Sequence, residues 1–527
     1  MTDTPHRSRR NVTSIPAFLL ITPLFIVLAM GVPLSYLVLR AAEADPALLR
    51  DLIWRRRTLD LFVNTVLLTG GVLTVTTLIG VPLAWIVTRT DLKGMRWITL
   101  ASVMPLAIPG YVMAHALLSL GGRNGIAALA GLQVSRPTGL VGAIAALSLY
   151  SFPYMFLNVR SAFRSLDPGV EESARSLGYT PAQVYLKVVI PMLLPGLLAG
   201  WVIIALYTLG DFGAVALMRY EVFSFAIYTQ YAGAFDRTYA SVLALILLAM
   251  TAGPVILEAR LLRSVRYSRL GSGVGRKHRL VHVRGLGRLA SWAFIVLVLS
   301  ASIGMPVFSL LWWILQRPPW GELGRIFELF LNSTAAAVPA AVLAVLLALP
   351  LAYARVRYPS RTTMIAERTA YIGYAVPPLA LALAFVFFSL RGVPFLYQRL
   401  PLLVFAYAMN FLALAIGPIR STMMLAPRKL DETARSLGYS PQAAFLYAVL
   451  PLLRSGVFAS FTLVFVMAMK ELPLAFLLAP TGFTTLSVAV FSRTSEAQLV
   501  DAAPYAAAIV LFSSFFVGLM LKYEGRH

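Results

Sequence analysis

The sequence predicts an all-α, polytopic membrane protein of about twelve transmembrane helices in two parallel six-helix repeats. Three observations predict it. Of 527 residues, 59% are hydrophobic and only 13% charged, too little polar surface for a chain dispersed in water. Apolar runs long enough to cross a bilayer recur along its whole length. Finally, residues 171–181, EESARSLGYTP, return as DETARSLGYSP at 431–441, identical at eight of eleven positions with an offset of 260.

Composition also excludes functions. The formal charge is +23, with 45 Lys and Arg against 22 acids. Those basic residues stand between apolar runs, where membrane topology needs them, so nucleic acid is not expected as a partner. There is no cysteine, hence no disulfide, thiolate metal site or thiol nucleophile. The histidines are His6, His115, His278, His282 and His527. Only His278 and His282 share a helical spacing, in a basic stretch without a neighbouring acid. No HExxH, phosphate-binding glycine loop or GxSxG is present, so the chain is not expected to be an enzyme or to bind a cofactor.

Charge-free runs lie near 17–39, 61–88, 97–122, 137–159, 238–257, 289–316, 329–354, 369–390, 400–419 and 502–521. Runs near 184–218 and 446–479 are interrupted by Asp211 and by Lys470 and Glu471. The first run is long and lacks a small-residue cleavage site after it, and is read as a span. Basic residues cluster at Arg7, Arg9 and Arg10, at Arg89, Lys93 and Arg96, and at Arg160, Arg164 and Arg175. The stretch from Arg260 to Arg288 holds nine basic residues and no acid. The positive-inside rule puts all of these on one side if both termini are cytoplasmic. Arg55, Arg56 and Arg57 fall outside, near Glu43, Asp45 and Asp51.

The expected organisation follows. Residues 1–59 hold the N-terminus, first span and outer loop, and 60–262 the first transmembrane domain. A basic linker at 263–288, with Gly271, Gly273 and Gly275, reads as flexible. Residues 289–327 hold the seventh span and outer loop, and 328–522 the second domain. Upstream of the repeated loop the offset is 268, pairing Asn64 with Asn332, Pro82 with Pro350 and Pro109 with Pro377. Downstream it stays 260, pairing Pro191 with Pro451, Gly196 with Gly456 and Asp211 with Glu471. Six spans separate equivalent points, so the repeat is parallel rather than inverted.

The repeated loop has readable local physics. Asp167 suits an N-cap and Pro168 the first helical position. A short helix can run to Leu177 and stop at Gly178, which tolerates the left-handed conformation. Thr180-Pro181-Ala182-Gln183 then opens the next helix as a capping box. The second copy stops at Gly438 and restarts at Ser440-Pro441. A short helix, a corner and a long helix entering the bilayer can pass force from a soluble partner to the spans.

Both loops resemble the EAA motif of type I ABC importer permeases, in Glu172-Ser173-Ala174, Gly178 and Ile190-Pro191, and in Glu432-Thr433-Ala434, Gly438 and Leu450-Pro451. Ser173 and Thr433 depart from the middle alanine, a small-for-small change. The resemblance covers roughly 60–260 and 328–522. It implies a coupling role for Glu172, Ala174, Gly178, Pro191, Glu432, Ala434, Gly438 and Pro451, seated on two ABC ATPase subunits that use ATP and Mg. It also implies a substrate-binding protein outside and a place in the bacterial inner membrane. Two halves in one chain, with Gly210-Asp211-Phe212-Gly213 and Met469-Lys470-Glu471-Leu472-Pro473, resemble the ferric-iron permease branch. Permeases for thiamine, phosphonate or sulfate, and an ion-coupled secondary transporter, stand as alternatives.

Asp211 and Glu471 each lie 20 residues beyond the loop proline, about 30 Å along a helix at 1.5 Å per residue. Acids at membrane depth are costly and usually functional or paired. Two at equivalent sites are expected to flank a central path, where carboxylate oxygens would suit Fe³⁺. The structural alternative is that each caps a helix break, with Lys470 neutralising Glu471.

Overall fold

In hydrocarbon there is no water to satisfy a backbone amide, so an apolar chain of this kind must bond its backbone internally, as helix. The computed structural model describes residues 18–123, 125–129, 131–234, 236–263, 280–427 and 429–524, and those residues fold accordingly. The N-terminal arginines and most of the basic linker, including its three glycines, lie outside the described residues.

Ten helices among the described residues are long and apolar enough to cross a membrane. Eight of them are straightforward counterparts of predicted runs, from Leu20–Ala42 through Leu499–Leu519. The two charge-interrupted runs become Pro181–Gly210 and Gln442–Met469, so Asp211, Lys470 and Glu471 stand just past helix ends rather than inside them.

The runs at 97–122 and 369–390, expected to be plain spans, are bent pairs instead. Met95–Ala107 meets Gly110–Leu120 at 93°, and Arg361–Ala375 meets Pro378–Gly392 at 108°. Counting each pair as one span gives up to 12. Prolines account for both bends, Pro109 in the first pair and Pro378, which follows the matched Pro377, in the second. Proline cannot donate to the helix ladder and pushes the residue before it out of the helical region. Ile108, before Pro109, is extended at φ −94°, ψ 112°, and Pro377, before Pro378, at φ −54°, ψ 130°.

Prolines 191 and 451 are handled differently. Each follows one widened turn, Tyr185–Val189 and Phe445–Val449, in which Ile190 N donates to the Tyr185 carbonyl and Leu450 N to the Phe445 carbonyl. The bulge makes room for a ring that would otherwise press on the preceding turn. The helix thus continues past the proline in the first half.

Two compact units interleave along the chain. One comprises Met1–Leu34, Ala336–Tyr374 and Val404–Ala468, the other Ser35–Ala335, Ala375–Leu403 and Met469–His527. In each, a glycine lets the helix after the repeated loop approach the helix before it. A Cβ on Gly196 would lie 2.7 Å from Ala162 Cβ, and one on Gly456 would lie 2.1 Å from Thr422 Oγ1. Small residues at such crossings are how apolar helices gain contact when lipid is as apolar as they are.

Candidate functional site

The first repeated loop is a helix, Pro168–Ser176, opened by Asp167, whose Oδ1 accepts from Gly169 N at 2.9 Å. It closes as a Schellman turn: Tyr179 N donates to the Ala174 carbonyl at 3.2 Å and Gly178 N to the Arg175 carbonyl at 3.0 Å. Gly178 sits at φ +87°. Thr180 and Gln183 then form the reciprocal capping box.

The second loop repeats the stop and half of the capping box, with Pro427 standing where Asp167 caps the first and Ala443 where Gln183 bonds back. The helix is Lys429–Ser436. Tyr439 N donates to the Ala434 carbonyl at 3.2 Å, Gly438 N to Arg435 at 3.0 Å, and Gly438 has φ +89°. Ala443 N donates to Ser440 Oγ at 3.2 Å. Of the motif residues, Ala174 and Ala434 are buried, while Glu172 and Glu432 are exposed. Each loop also exposes a leucine at its tip, Leu177 at 80% and Leu437 at 73%. Sequence reasoning assigned those leucines nothing, although an apolar residue just before the stop glycine in both copies was there to be read.

The matched acids occupy matched breaks. The helix Ile190–Gly210 ends before Asp211, and Gly213–Leu217 begins after it. Asp211 Oδ1 accepts from Ala214 N at 2.9 Å and Val215 N at 3.3 Å, and Ser224 Oγ donates to the Asp211 carbonyl at 2.6 Å. The helix Arg454–Met469 ends before Glu471, and Pro473–Leu478 follows. Glu471 Oε2 accepts from Leu474 N at 3.0 Å and Ala475 N at 3.3 Å, and Ser487 Oγ donates to its carbonyl at 2.6 Å. Both carboxylates therefore cap the helix beyond the break.

The breaks share one further scaffold. Asn64 Nδ2 donates to the Glu221 carbonyl at 2.9 Å and Asn332 Nδ2 to Thr484 at 3.2 Å. Thr65 and Ser333, their neighbours, accept from Phe223 N at 3.2 Å and Leu486 N at 2.9 Å. Span asparagines thus pin the loops that follow the breaks. Phe212, Tyr228, Phe476 and Phe491 fill the space between the breaks, with Phe212 at 5.1 Å from Phe491 and 6.1 Å from Phe476, centroid to centroid.

Lys470 does not neutralise Glu471. Its Nζ donates to the Leu106 carbonyl at 2.9 Å, and Tyr111 donates its hydroxyl to the Lys470 carbonyl at 3.2 Å. The bent pair of the first half is thereby fastened to the break of the second. His282 likewise finds an acid that the local sequence lacks: its Nδ1 lies 2.7 Å from Asp91 Oδ2. That contact and the Val283 amide hold the Asp91 carboxyl below the usual range. No group of three or more metal-ligating side chains occurs among the described residues.

The duplicated loops, breaks and spans agree with what the chain is similar to. The family model described as "Binding-protein-dependent transport system inner membrane component" matches twice, at residues 76–267 and 340–523. The Fe(3+)-transport system permease protein FbpB 2 of Haemophilus influenzae is 32% identical over 512 residues, covering 96% of this chain and 98% of that protein. The sulfate transport system permease protein CysT of Salmonella typhimurium is 30% identical over 250 residues, 46% of this chain and 90% of that protein. The molybdenum transport system permease protein ModB of Mycobacterium tuberculosis is 33% identical over 141 residues, 26% of this chain and 53% of its own length. This chain belongs to the binding-protein-dependent transport system inner membrane components, as an ABC importer permease carrying the family's transmembrane unit twice in one polypeptide.

Proposed function

We propose that this permease moves ferric iron, delivered by a substrate-binding protein, through alternating access driven by two ABC ATPase subunits. One observation supports the cargo: a relative matched over nearly its whole length, both halves included, is an Fe(3+) permease. The sulfate and molybdenum relatives match over shorter segments. Radioactive Fe³⁺ uptake by vesicles holding the assembled transporter and its binding protein tests it. Saturable, ATP-dependent uptake is expected; uptake of an oxyanion without iron would replace the cargo.

The ATPases would dock on the loops at 171–181 and 431–441, with Glu172 and Glu432 meeting basic or amide groups and Leu177 and Leu437 entering an apolar cleft. Ala174 and Ala434 let each short helix pack closely, Gly178 and Gly438 turn the corner, and Pro191 and Pro451 start the entering span. ATP and Mg belong to those partners. In this reading both termini and the 263–288 linker face the ATPases in the inner membrane. The transmembrane domains run over 60–262 and 328–522, and 1–59 and 289–327 each supply an extra span and outer loop. Asp211 and Glu471 would place two negative charges beside the outer part of the path while capping its breaks, a setting that favours a cation.

A further inference from the structure

The repeat extends to a side-chain pair that no motif contains. The helix Arg56–Arg89 ends on Arg89, and Leu323–Arg357 ends on Arg357, equivalent at the upstream offset of 268. The acids opening the repeated segments, Glu171 and Asp431, are equivalent at 260. Each arginine meets its own acid. Arg89 Nη2 donates to Glu171 Oε1 at 2.7 Å, and Arg357 Nε lies 2.6 Å from Asp431 Oδ2. The latter is a close charge contact rather than an aligned hydrogen bond.

These ion pairs are largely buried. Side-chain exposure is 6% and 16% for Arg89 and Glu171, and 7% and 12% for Arg357 and Asp431. Most surface ion pairs contribute little, whereas breaking a buried one leaves a charge without a partner. The acid shortens by one carbon in the second half, yet the contact persists through a nitrogen nearer the arginine's stem. Tyr353 there adds a hydroxyl 3.3 Å from Asp431 Oδ1, and Arg357 Nη2 donates to the Ala426 carbonyl at 3.2 Å.

A second contact lies one turn back on the same helices. Trp85 and Tyr353 are equivalent, and so are Tyr185 and Phe445 in the widened turns after the loops. Trp85 packs edge-on to Tyr185 at 6.5 Å and donates to its hydroxyl, and Tyr353 packs edge-on to Phe445 at 4.8 Å. Each span end therefore grips its loop at the entry by charge and at the exit by an aromatic pair.

We propose that Arg89 and Arg357 are positioning residues that lock each short helix to the span ending on that arginine. In consequence, displacement of the short helix by an ATPase turns the span instead of being absorbed at the glycine corner. Adjacent acids in each loop divide the work: Glu171 and Asp431 face the span, while Glu172 and Glu432 face outward. The inference rests on the coupling reading of the loops given above.

The test uses the whole transporter with ATPase and binding protein, measuring ATPase co-purification, ATP hydrolysis and cargo moved per ATP. Arg89→Gln with Arg357→Gln should still co-purify the ATPase and hydrolyse ATP, but move at least tenfold less cargo per ATP. The charge exchange Arg89→Glu with Glu171→Arg should restore at least a third of the coupling lost in the single Arg89→Glu variant. A ratio within twofold of the parent in the assembled Gln variant would overturn the lock. If the Gln variant does not assemble, the charge exchange decides: recovery of assembly and coupling supports the lock, and no recovery overturns it. Gly178→Val with Gly438→Val separates the two levels. If that variant binds ATPase and imports normally, the coupling reading itself falls; if it uncouples while the arginine variants do not, only the lock falls.

Discussion

Asp211 and Glu471 show how far single residues can be read. Their equivalence was evident from spacing, and so was the chance that they cap breaks. The structure gives both the same three bonds, to two amides ahead and one serine hydroxyl. Asparagine and glutamine keep an acceptor oxygen, so Asp211→Asn with Glu471→Gln should leave the caps and basal ATP hydrolysis in place. If the charges act on a cation, uptake should fall about tenfold or more. Unchanged uptake would reduce both residues to caps. Lys470 was beyond sequence reasoning, because Leu106 lies 364 residues away along the chain and its carbonyl carries no sequence signal. His282 and Asp91, 191 apart, were hidden for the same reason.

Among elements, the short loop helices were the most legible, because capping is local chemistry. Asp167, Gly178, Thr180 and Gln183 each announce their role by residue type and spacing. The bends at Pro109 and Pro377 were less so. Prolines 82, 153 and 350 sit inside continuous helices, so a proline in an apolar run does not by itself declare a break. What decides is whether packing neighbours can re-satisfy the freed carbonyls, and a single sequence does not show those. Close helix crossings make a prediction at this scale. Gly196→Leu or Gly456→Leu would drive a branched side chain into Ala162 or Thr422 and the backbone behind them. Overpacking costs on the order of 1–3 kcal/mol or more, so each variant should melt several degrees lower in detergent. An unchanged melting temperature would mean the helices separate easily there.

At the scale of the molecule, the twofold repeat was the strongest signal in the sequence, and the family model finds it twice. The interleaving of the two compact units was not readable, since it depends on which distant helices pack. Topology gives one prediction. Cysteines placed at positions 5, 275 and 525 of this cysteine-free chain should resist impermeant thiol reagents in intact cells and react once the membrane is opened. Labelling at 275 from outside would reverse the arrangement.

In the function proposed above, the two matched loops transmit the work of ATPases to the spans. A β-branched residue in the left-handed conformation of Gly178 or Gly438 strains the backbone by about 1–2 kcal/mol and misdirects the short helix. The space around both glycines is open, so the spans themselves should be undisturbed. The decisive measurement is cargo uptake together with ATPase co-purification for Gly178→Val with Gly438→Val, inserted at parental levels. Weakened ATPase binding, or loss of the uptake that binding protein stimulates, is the expected result. Full binding together with full uptake would contradict it.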